Sequence, residues 1–263
     1  MKIIPKKSLG QNFLIDKGII KKICNSGNIT SNNNVLEIGP GTGNLTEFIL
    51  QKRPKKFHVI EKDERLTKNL KEKFDKKIKI INEDILKYNL RSLSDKDLVI
   101  FGNLPYNISS QILVNFINYS YSEFSYKKLV LMFQKEVADR ILAEDNSKNY
   151  GRLSIFSSWK LNIKKIMDIS PSSFFPKPKV MSSLLIFEPK INYIKFKNSK
   201  NLEHITNVFF NQKRKMIKKP LNILFKSSKE VIDELNLNIN LRPQNLKKEI
   251  FYKICLIYEK LIN

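Results

Sequence analysis

The 263-residue chain is long enough for one large domain or two modest ones, with roughly 70–75% of its unfolded surface buried on folding. No apolar run approaches the ~20 residues of a membrane span, and Met1–Ser8 lacks the apolar stretch of a secretion signal. Two cysteines in apolar-periodic segments and two isolated histidines leave no disulfide framework and no histidine-based metal site or triad, so a cytoplasmic protein without metal is expected. The net charge of +23, from 48 Lys/Arg against 25 Asp/Glu, points to a polyanion, RNA or DNA ahead of a membrane surface. Part of the lysine reflects the Lys, Asn and Ile bias of an AT-rich genome, but that bias does not favour Lys over Glu.

Lys6–Leu14 opens the chain as a basic arm containing Gly10. Asp16 is placed to N-cap a short helix with an apolar face of Ile19, Ile20, Ile23 and Cys24, closed by Gly27. Val35–Ile38 reads as a short buried strand, followed by the turn Gly39-Pro40-Gly41-Thr42-Gly43-Asn44 and a helix through Leu45, Phe48 and Ile49. Phe57–Ile60 is the next strand, ending at Glu61, and a charged helix follows over about Glu64–Phe74. Ile78–Ile81 is a third strand, running into Glu83-Asp84-Ile85. Leu98–Phe101 is the fourth, leading through Gly102-Asn103-Leu104-Pro105-Tyr106-Asn107 into a helix over Ser109–Ile117.

Leu129–Phe133 is a fifth strand, with a helix over about Glu136–Leu142 and another through Leu153, Phe156 and Trp159. Ile163–Ile169 and Ser182–Phe187 are two closing strands around Pro171–Lys179. Strands alternating with helices argue a mostly parallel α/β sheet with right-handed crossovers. Beyond Pro189 only helical spacing is found, at Leu202-Ile205-Val208-Phe209, Met216-Leu221-Leu224-Phe225 and Ile250-Ile254-Ile257-Tyr258-Leu261. That tail carries 16 Lys/Arg against 6 Asp/Glu. The expected division is therefore an α/β domain over 1–190, with an arm at 1–15, and a basic helical domain over 191–263.

Four strand ends carry chemistry. A Gly39-x-Gly41-x-Gly43 turn between strand and helix lets backbone approach a ligand closely. Glu61 stands where an acid bonds ribose hydroxyls, and Asp84 where a carboxylate accepts from an adenine amino group. Singly, each acid is as well explained as a loop residue or helix cap; together they line one crevice that admits NAD or S-adenosylmethionine. The Asn103-Leu104-Pro105-Tyr106 loop at the fourth strand end offers an amide beside an aromatic ring, which suits a planar, amino-bearing ligand. Phe174, ahead of Pro176-Lys177-Pro178, is a candidate opposing wall, or an ordinary hydrophobic plug. The loop, the basic helical tail and the lack of a hydride-transfer acid or base speak against NAD.

Several of these segments together resemble the rRNA adenine N6,N6-dimethyltransferase family. They are Lys7-Ser8-Leu9-Gly10-Gln11-Asn12-Phe13-Leu14, Glu37-Ile38-Gly39-Pro40-Gly41-Thr42-Gly43, Asn103-Leu104-Pro105-Tyr106 and Phe174-x-Pro176-x-Pro178-x-Val180. Tyr150-Gly151-Arg152-Leu153-Ser154, Gln212-Lys213-Arg214-Lys215-Met216 and Arg242-Pro243-Gln244-Asn245-Leu246 extend the likeness over nearly the whole chain. The Ser8-Leu9-Gly10 lead-in, Asn107 and the tail motifs favour the bacterial branch that dimethylates two adjacent adenosines in the 3′-terminal hairpin of small-subunit 16S rRNA. The macrolide-resistance branch acting on large-subunit rRNA is the alternative, as is a non-catalytic RNA- or DNA-binding assembly factor on the same fold. Ser158 and Lys213 depart from the family pattern, which has Gln and Arg there.

The resemblance implies a Rossmann-like class I methyltransferase sheet with helices on both faces and a small all-helical C-terminal domain that binds rRNA. It implies an S-adenosylmethionine site of Asn12, Leu14, Gly39, Glu61, Asp84 and Asn103, with the N-terminal arm closing over the cofactor. Catalysis falls to Asn103, Leu104, Pro105 and Tyr106, with Phe174 opposite: Asn103 and the Leu104 carbonyl accept the two N6 hydrogens of a flipped-out adenine, and Tyr106 and Phe174 sandwich it. The implied partner is small-subunit rRNA within a 30S assembly intermediate, met by a monomer.

Overall fold

The computed structural model describes residues 4–93, 95–119 and 124–261. They form two compact units, one of the chain up to Ala138 together with Asn162–Pro189, the other of Asp139–Leu161 together with the chain from Lys190 on.

The first unit begins with β1 (Phe13–Leu14), α1 (Lys17–Ser26), β2 (Asn34–Ile38), α2 (Asn44–Gln51), β3 (Lys56–Glu61), α3 (Glu64–Phe74) and β4 (Lys79–Asn82). It continues with β5 (Leu98–Asn103), α4 (Ser109–Asn118) and β6 (Tyr126–Gln134), and α5 (Lys135–Leu142) carries the chain out. β7 (Leu161–Ile169), β8 (Phe174–Phe175) and β9 (Ser182–Pro189) return to it. Seven strands form one sheet in the order β4-β3-β2-β5-β6-β9-β7, parallel from β4 to β6, with β9 antiparallel to β6.

Local chemistry explains where these elements start. Asp16 caps α1 by accepting the Ile19 N–H at 3.0 Å, and Asp63 caps α3 by accepting the Arg65 N–H at 3.1 Å. β2 and β5 are almost unbroken apolar runs because a parallel sheet is covered on both faces: Val35, Leu36, Leu98, Val99, Ile100 and Phe101 are each at most 2% exposed. Two elements, β1 and β8, were not legible as strands. Phe13–Leu14 pairs antiparallel with Phe174–Phe175, Leu14 opposite Phe174, in a two-residue ribbon too short for any periodicity.

The second unit contains α6 (Arg152–Lys160), α7 (Ser199–Phe210), α8 (Lys218–Leu224), α9 (Ser228–Glu234) and α10 (Lys248–Leu261). Residues 139–161 belong to the same compact unit as the chain from Lys190 on. The reason lies in α6. Its Trp159 ring sits 4.8 Å from Phe196 with Nε1 donating to the Ile194 carbonyl at 2.7 Å, and the Ile155 carbonyl accepts from Tyr252 Oη at 2.8 Å. Two details differ from the helical spacing: α9 was not anticipated, and Met216, half exposed, precedes α8 rather than packing within it. Ser158 hydrogen-bonds the Ser154 carbonyl at 2.7 Å and the Tyr252 hydroxyl at 3.2 Å, while Lys213 donates to the Lys148 carbonyl at 2.8 Å.

Gly27 does end α1, though not as a left-handed stop. Its φ is −73°, and a Cβ there would lie 2.2 Å from the Phe101 ring, so close approach of helix to strand demands the glycine. Gly27→Ala should therefore destabilise the chain by about 1–3 kcal/mol in thermal melts. Were conformational freedom the only issue at this φ, alanine would stabilise by about 0.4–1 kcal/mol instead.

Candidate active site

The sheet register brings the motif-bearing strand ends together. Ile38 at the end of β2 lies opposite Ile60 of β3 and Gly102 of β5, and Glu61 lies opposite Asn82 of β4. From β2 the chain builds outward through β3 and β4, then returns to β5 on the other side. The crevice between β2 and β5 is thus a topological switch point, where open α/β sheets bind ligands. A cavity of about 310 Å³ opens there, at the low end of the range for small-molecule sites. Its walls are Ile38, Gly39, Gly41, Ile60, Glu61, Lys62, Asp84–Leu86 and Asn103–Ile108, and Ser8–Phe13 roof it.

Gly41 has φ +59°, and a Cβ on it would meet the Phe13 ring at 2.9 Å, so glycine alone lets the turn pass under the arm. Its N–H donates to Glu61 Oε2 at 3.2 Å, and the Asp63 N–H to Oε1 at 2.8 Å. Burial pushes the Glu61 carboxyl up from its ordinary pKa, and these backbone donors partly offset that. At Asp84 burial also raises the pKa, but bonds from Lys62 Nζ at 2.9 Å and the Leu86 N–H at 3.0 Å outweigh it and hold the carboxyl below the usual range. Ile38, Ile60, Ile85 and Leu86 give the same cavity apolar walls, suited to a planar ring.

Asn103 ends β5 with its amide Nδ2 donating to the Asn12 carbonyl at 2.8 Å. That bond fixes the flip of the amide and leaves Oδ1 as the free acceptor. Leu104 is buried behind it, and Pro105 and Tyr106 follow along the wall. The Tyr106 hydroxyl shares a 2.7 Å hydrogen bond with Ser182 Oγ, and burial raises its pKa, so the ring is tethered as a neutral phenol.

Five of the six expected cofactor residues, Asn12, Gly39, Glu61, Asp84 and Asn103, therefore line one cavity. Leu14 does not. Its side chain is buried in the core and its carbonyl accepts from Asn44 Nδ2 at 2.7 Å, beside a smaller cleft next to Gly39 and Gly41. Phe174 also lies away from the cavity lining: it is 3% exposed and packs in the hydrophobic core that contains Leu14, whereas its neighbour Phe175 is 55% exposed. Alternation along a short strand sends one of the pair inward, and the sequence gives no pattern to say which. Gln11, Lys62 and Ile85 line the cavity and were missed as site residues; Asp63, outside the lining but bonded to Gln11 and Glu61, carried a legible signal only as an N-cap directly ahead of a helix.

Beneath the glycine turn, Glu37 is 2% exposed and accepts from Thr46 Oγ1 at 2.7 Å. Burial pushes its pKa up to about 8, only partly countered by the threonine bond. The protonated form is favoured by the folded state, so this group's stabilisation is present at acidic pH and is lost as pH rises from the unfolded carboxyl range through about 8. Glu37→Gln should flatten the fall in Tm between pH 5 and pH 9, roughly the window these pKa values define, as read by thermal denaturation across pH.

A glycine turn into which no side chain fits, acids at successive strand ends and an apolar slot between them match a nucleoside with hydroxyls at one end and a ring amine at the other. Fold and crevice together fit an S-adenosylmethionine-dependent methyltransferase of Rossmann-like fold. Comparison with known proteins agrees. The model of the ribosomal RNA adenine dimethylase family matches residues 5–260. "Ribosomal RNA small subunit methyltransferase A" of Pelagibacter ubique is 59% identical over 256 residues, covering 97% of each chain. The protein of that name in Ehrlichia canis is 40% identical over 260 residues, 96% of this chain and 97% of its own. Among solved structures, a dimethyladenosine transferase from Plasmodium falciparum superposes with TM-score 0.81 at 29% identity, over 94% of this chain and 98% of its own. The 23S rRNA methyltransferase ErmE shares the fold, with TM-score 0.69 at 19% identity over 95% and 100%. The chain belongs to the ribosomal RNA adenine dimethylase family.

Proposed function

We propose that this protein transfers methyl groups from S-adenosylmethionine to N6 of two adjacent adenosines in the 3′-terminal hairpin of small-subunit 16S rRNA, two to each. The observation that carries the reading is the Asn103 amide: at a strand end, beside Tyr106, with its NH₂ committed to Asn12 and its oxygen left to accept. The close relatives named as small-subunit methyltransferases support the choice of rRNA.

In this reading Glu61 holds the ribose hydroxyls and Asp84 the adenine amine of the cofactor, with the Gly39 turn, Asn12 and Asn103 completing the lining; Leu14, which the resemblance assigned to the site, stands outside this cavity with its carbonyl held by Asn44. When bound, the cofactor supplies an electrophilic methyl on a sulfonium. The N6 lone pair of adenine is delocalised into its ring, so the enzyme must favour a pyramidal nitrogen. Asn103 Oδ1 and the Leu104 carbonyl accept the two N6 hydrogens and aim the lone pair. Pro105 stiffens the loop, and the tethered Tyr106 ring stacks on the flipped base, worth ~1–3 kcal/mol. Phe174 is assigned the opposite face. Because it is buried with the arm ribbon, that role requires the ribbon to shift when RNA binds. Positioning supplies most of the acceleration, and no strong general base is required.

RNA is held mainly through phosphates, by the basic second unit, by Lys177 and Lys179, and by the lysines of the arm. The substrate is rRNA within a 30S assembly intermediate, bound by a monomer in the cytoplasm. With labelled S-adenosylmethionine and small subunits lacking the modification, the wild-type chain should label the terminal hairpin. Asn103→Ala should abolish that label, and Tyr106→Ala should slow it by roughly 10- to 100-fold, while Tyr106→Phe, which keeps the ring, loses far less. Undiminished label with Asn103→Ala, or label in large-subunit RNA, would contradict the reading. Affinity for the hairpin-bearing subunit should fall steeply between low and moderate salt, and a flat response in a filter-binding titration would remove the phosphate account.

A further inference from the structure

Ser8–Gln11 help roof the cavity, and apart from Asn12 Nδ2 donating to the neighbouring Gly10 carbonyl at 3.3 Å, the polar side-chain ties of residues 4–11 to the rest of the first unit run to Asp63 and Arg65 among the described residues. Gln11 Nε2 donates to Asp63 Oδ2 at 2.9 Å, Lys6 Nζ lies 3.9 Å from Asp63 Oδ1, and Arg65 Nη1 donates to the Ile4 carbonyl at 3.3 Å. The arm folds on itself around the same point, with Gln11 Oε1 accepting the Lys6 N–H at 2.7 Å. Asp63 itself is 4% exposed and pairs with Arg65 Nη2 at 2.6 Å. Its backbone N–H is one of the backbone donors that fix Glu61. One residue therefore grips the arm with its side chain and the cavity's buried acid with its backbone.

We propose that Asp63 is a positioning residue that, through Gln11 and with Arg65, latches the N-terminal arm over the cavity and so couples arm closure to cofactor occupancy; this rests on the cavity binding S-adenosylmethionine. The Gln11–Asp63 bond joins a neutral donor to an ionised carboxylate, the stronger class of hydrogen bond. Arg65 holds the Asp63 carboxyl well below the usual carboxylate range, helped by Gln11 and opposed by burial, so the latch stays charged at any working pH. Beyond Gln11 the chain has its own anchors: Asn103 on the Asn12 carbonyl, Asn44 on the Leu14 carbonyl, and the pairing of Leu14 with Phe174. Releasing the latch thus frees 4–11 and leaves the ribbon in place. By linkage, whatever the closed arm adds to cofactor affinity, the cofactor adds to arm closure.

Asp63→Ala would also remove the cap of α3, so the test is made at Gln11 in the full chain. Gln11→Leu deletes the donor, Gln11→Glu sets a like charge against Asp63, and Gln11→Lys restores a donor. Calorimetry with S-adenosylhomocysteine reads affinity without chemistry, methyl-transfer kinetics separate KM for S-adenosylmethionine from kcat, and trypsin cleavage after Lys6 and Lys7 reads the arm. Gln11→Leu should raise Kd and KM together by about tenfold, with Gln11→Glu raising them further and Gln11→Lys restoring them. S-adenosylhomocysteine should slow cleavage of the wild-type arm and protect the Gln11→Leu arm far less. Unchanged Kd in Gln11→Leu and Gln11→Glu would overturn the latch, as would a raised Kd with an equally protected arm, which would route the effect through Glu61 alone. A wild-type chain that bound neither cofactor nor product would instead overturn the reading of the cavity, and the latch with it.

Discussion

A 2.8 Å hydrogen bond from the Asn103 amide to the Asn12 carbonyl ties the end of β5 to the arm that roofs the cavity. An unconstrained asparagine can present either its NH₂ or its oxygen to a ligand, and only the oxygen accepts from an amine. Spending the NH₂ on Asn12 removes that ambiguity before any substrate arrives. Asn12 is itself kept in place by the adjoining Phe13–Leu14 ribbon, while Asp63 and Arg65 hold the segment before it. The pre-organisation of the acceptor therefore depends on a contact between residues 91 positions apart.

The cavity's acids follow the same logic. Glu61 is a carboxylate in a poorly hydrated place, and two backbone donors from the turn and from Asp63 offset the cost of burying it. Asp84 is less enclosed and leans on Lys62. Glu37, with a single hydroxyl donor, is instead stabilised in its protonated form, so it can lie directly under the glycine turn without adding a second negative charge near Glu61.

Much of this was legible in the sequence because the information was local. Strands such as Val35–Ile38 and Leu98–Phe101 announce themselves by unbroken apolar runs, and parallel pairing then obliges Gly39, Glu61, Asp84 and Asn103 to share one edge. What was not legible depended on pairings between distant residues. The Phe13–Leu14 ribbon is two residues long, so nothing in the pattern told that Phe174 turns into the core and Phe175 outward. Gly27 does end its helix, but the glycine is demanded by the close approach of Phe101, which no local pattern announces. α6 lies between two sheet strands in sequence yet packs with the tail through Trp159 and Tyr252, partners that no local spacing could assign.

The central claim is that Asn103 Oδ1 is the acceptor for the N6 amine of a flipped adenine. A crystal structure of the chain with S-adenosylhomocysteine and an rRNA-hairpin oligonucleotide tests it most directly. The account predicts the Asn103 NH₂ still on the Asn12 carbonyl and Oδ1 within hydrogen-bond distance of N6, with Tyr106 against the base. An adenine bound elsewhere, or an amide turned so that its NH₂ faces the base, would contradict it.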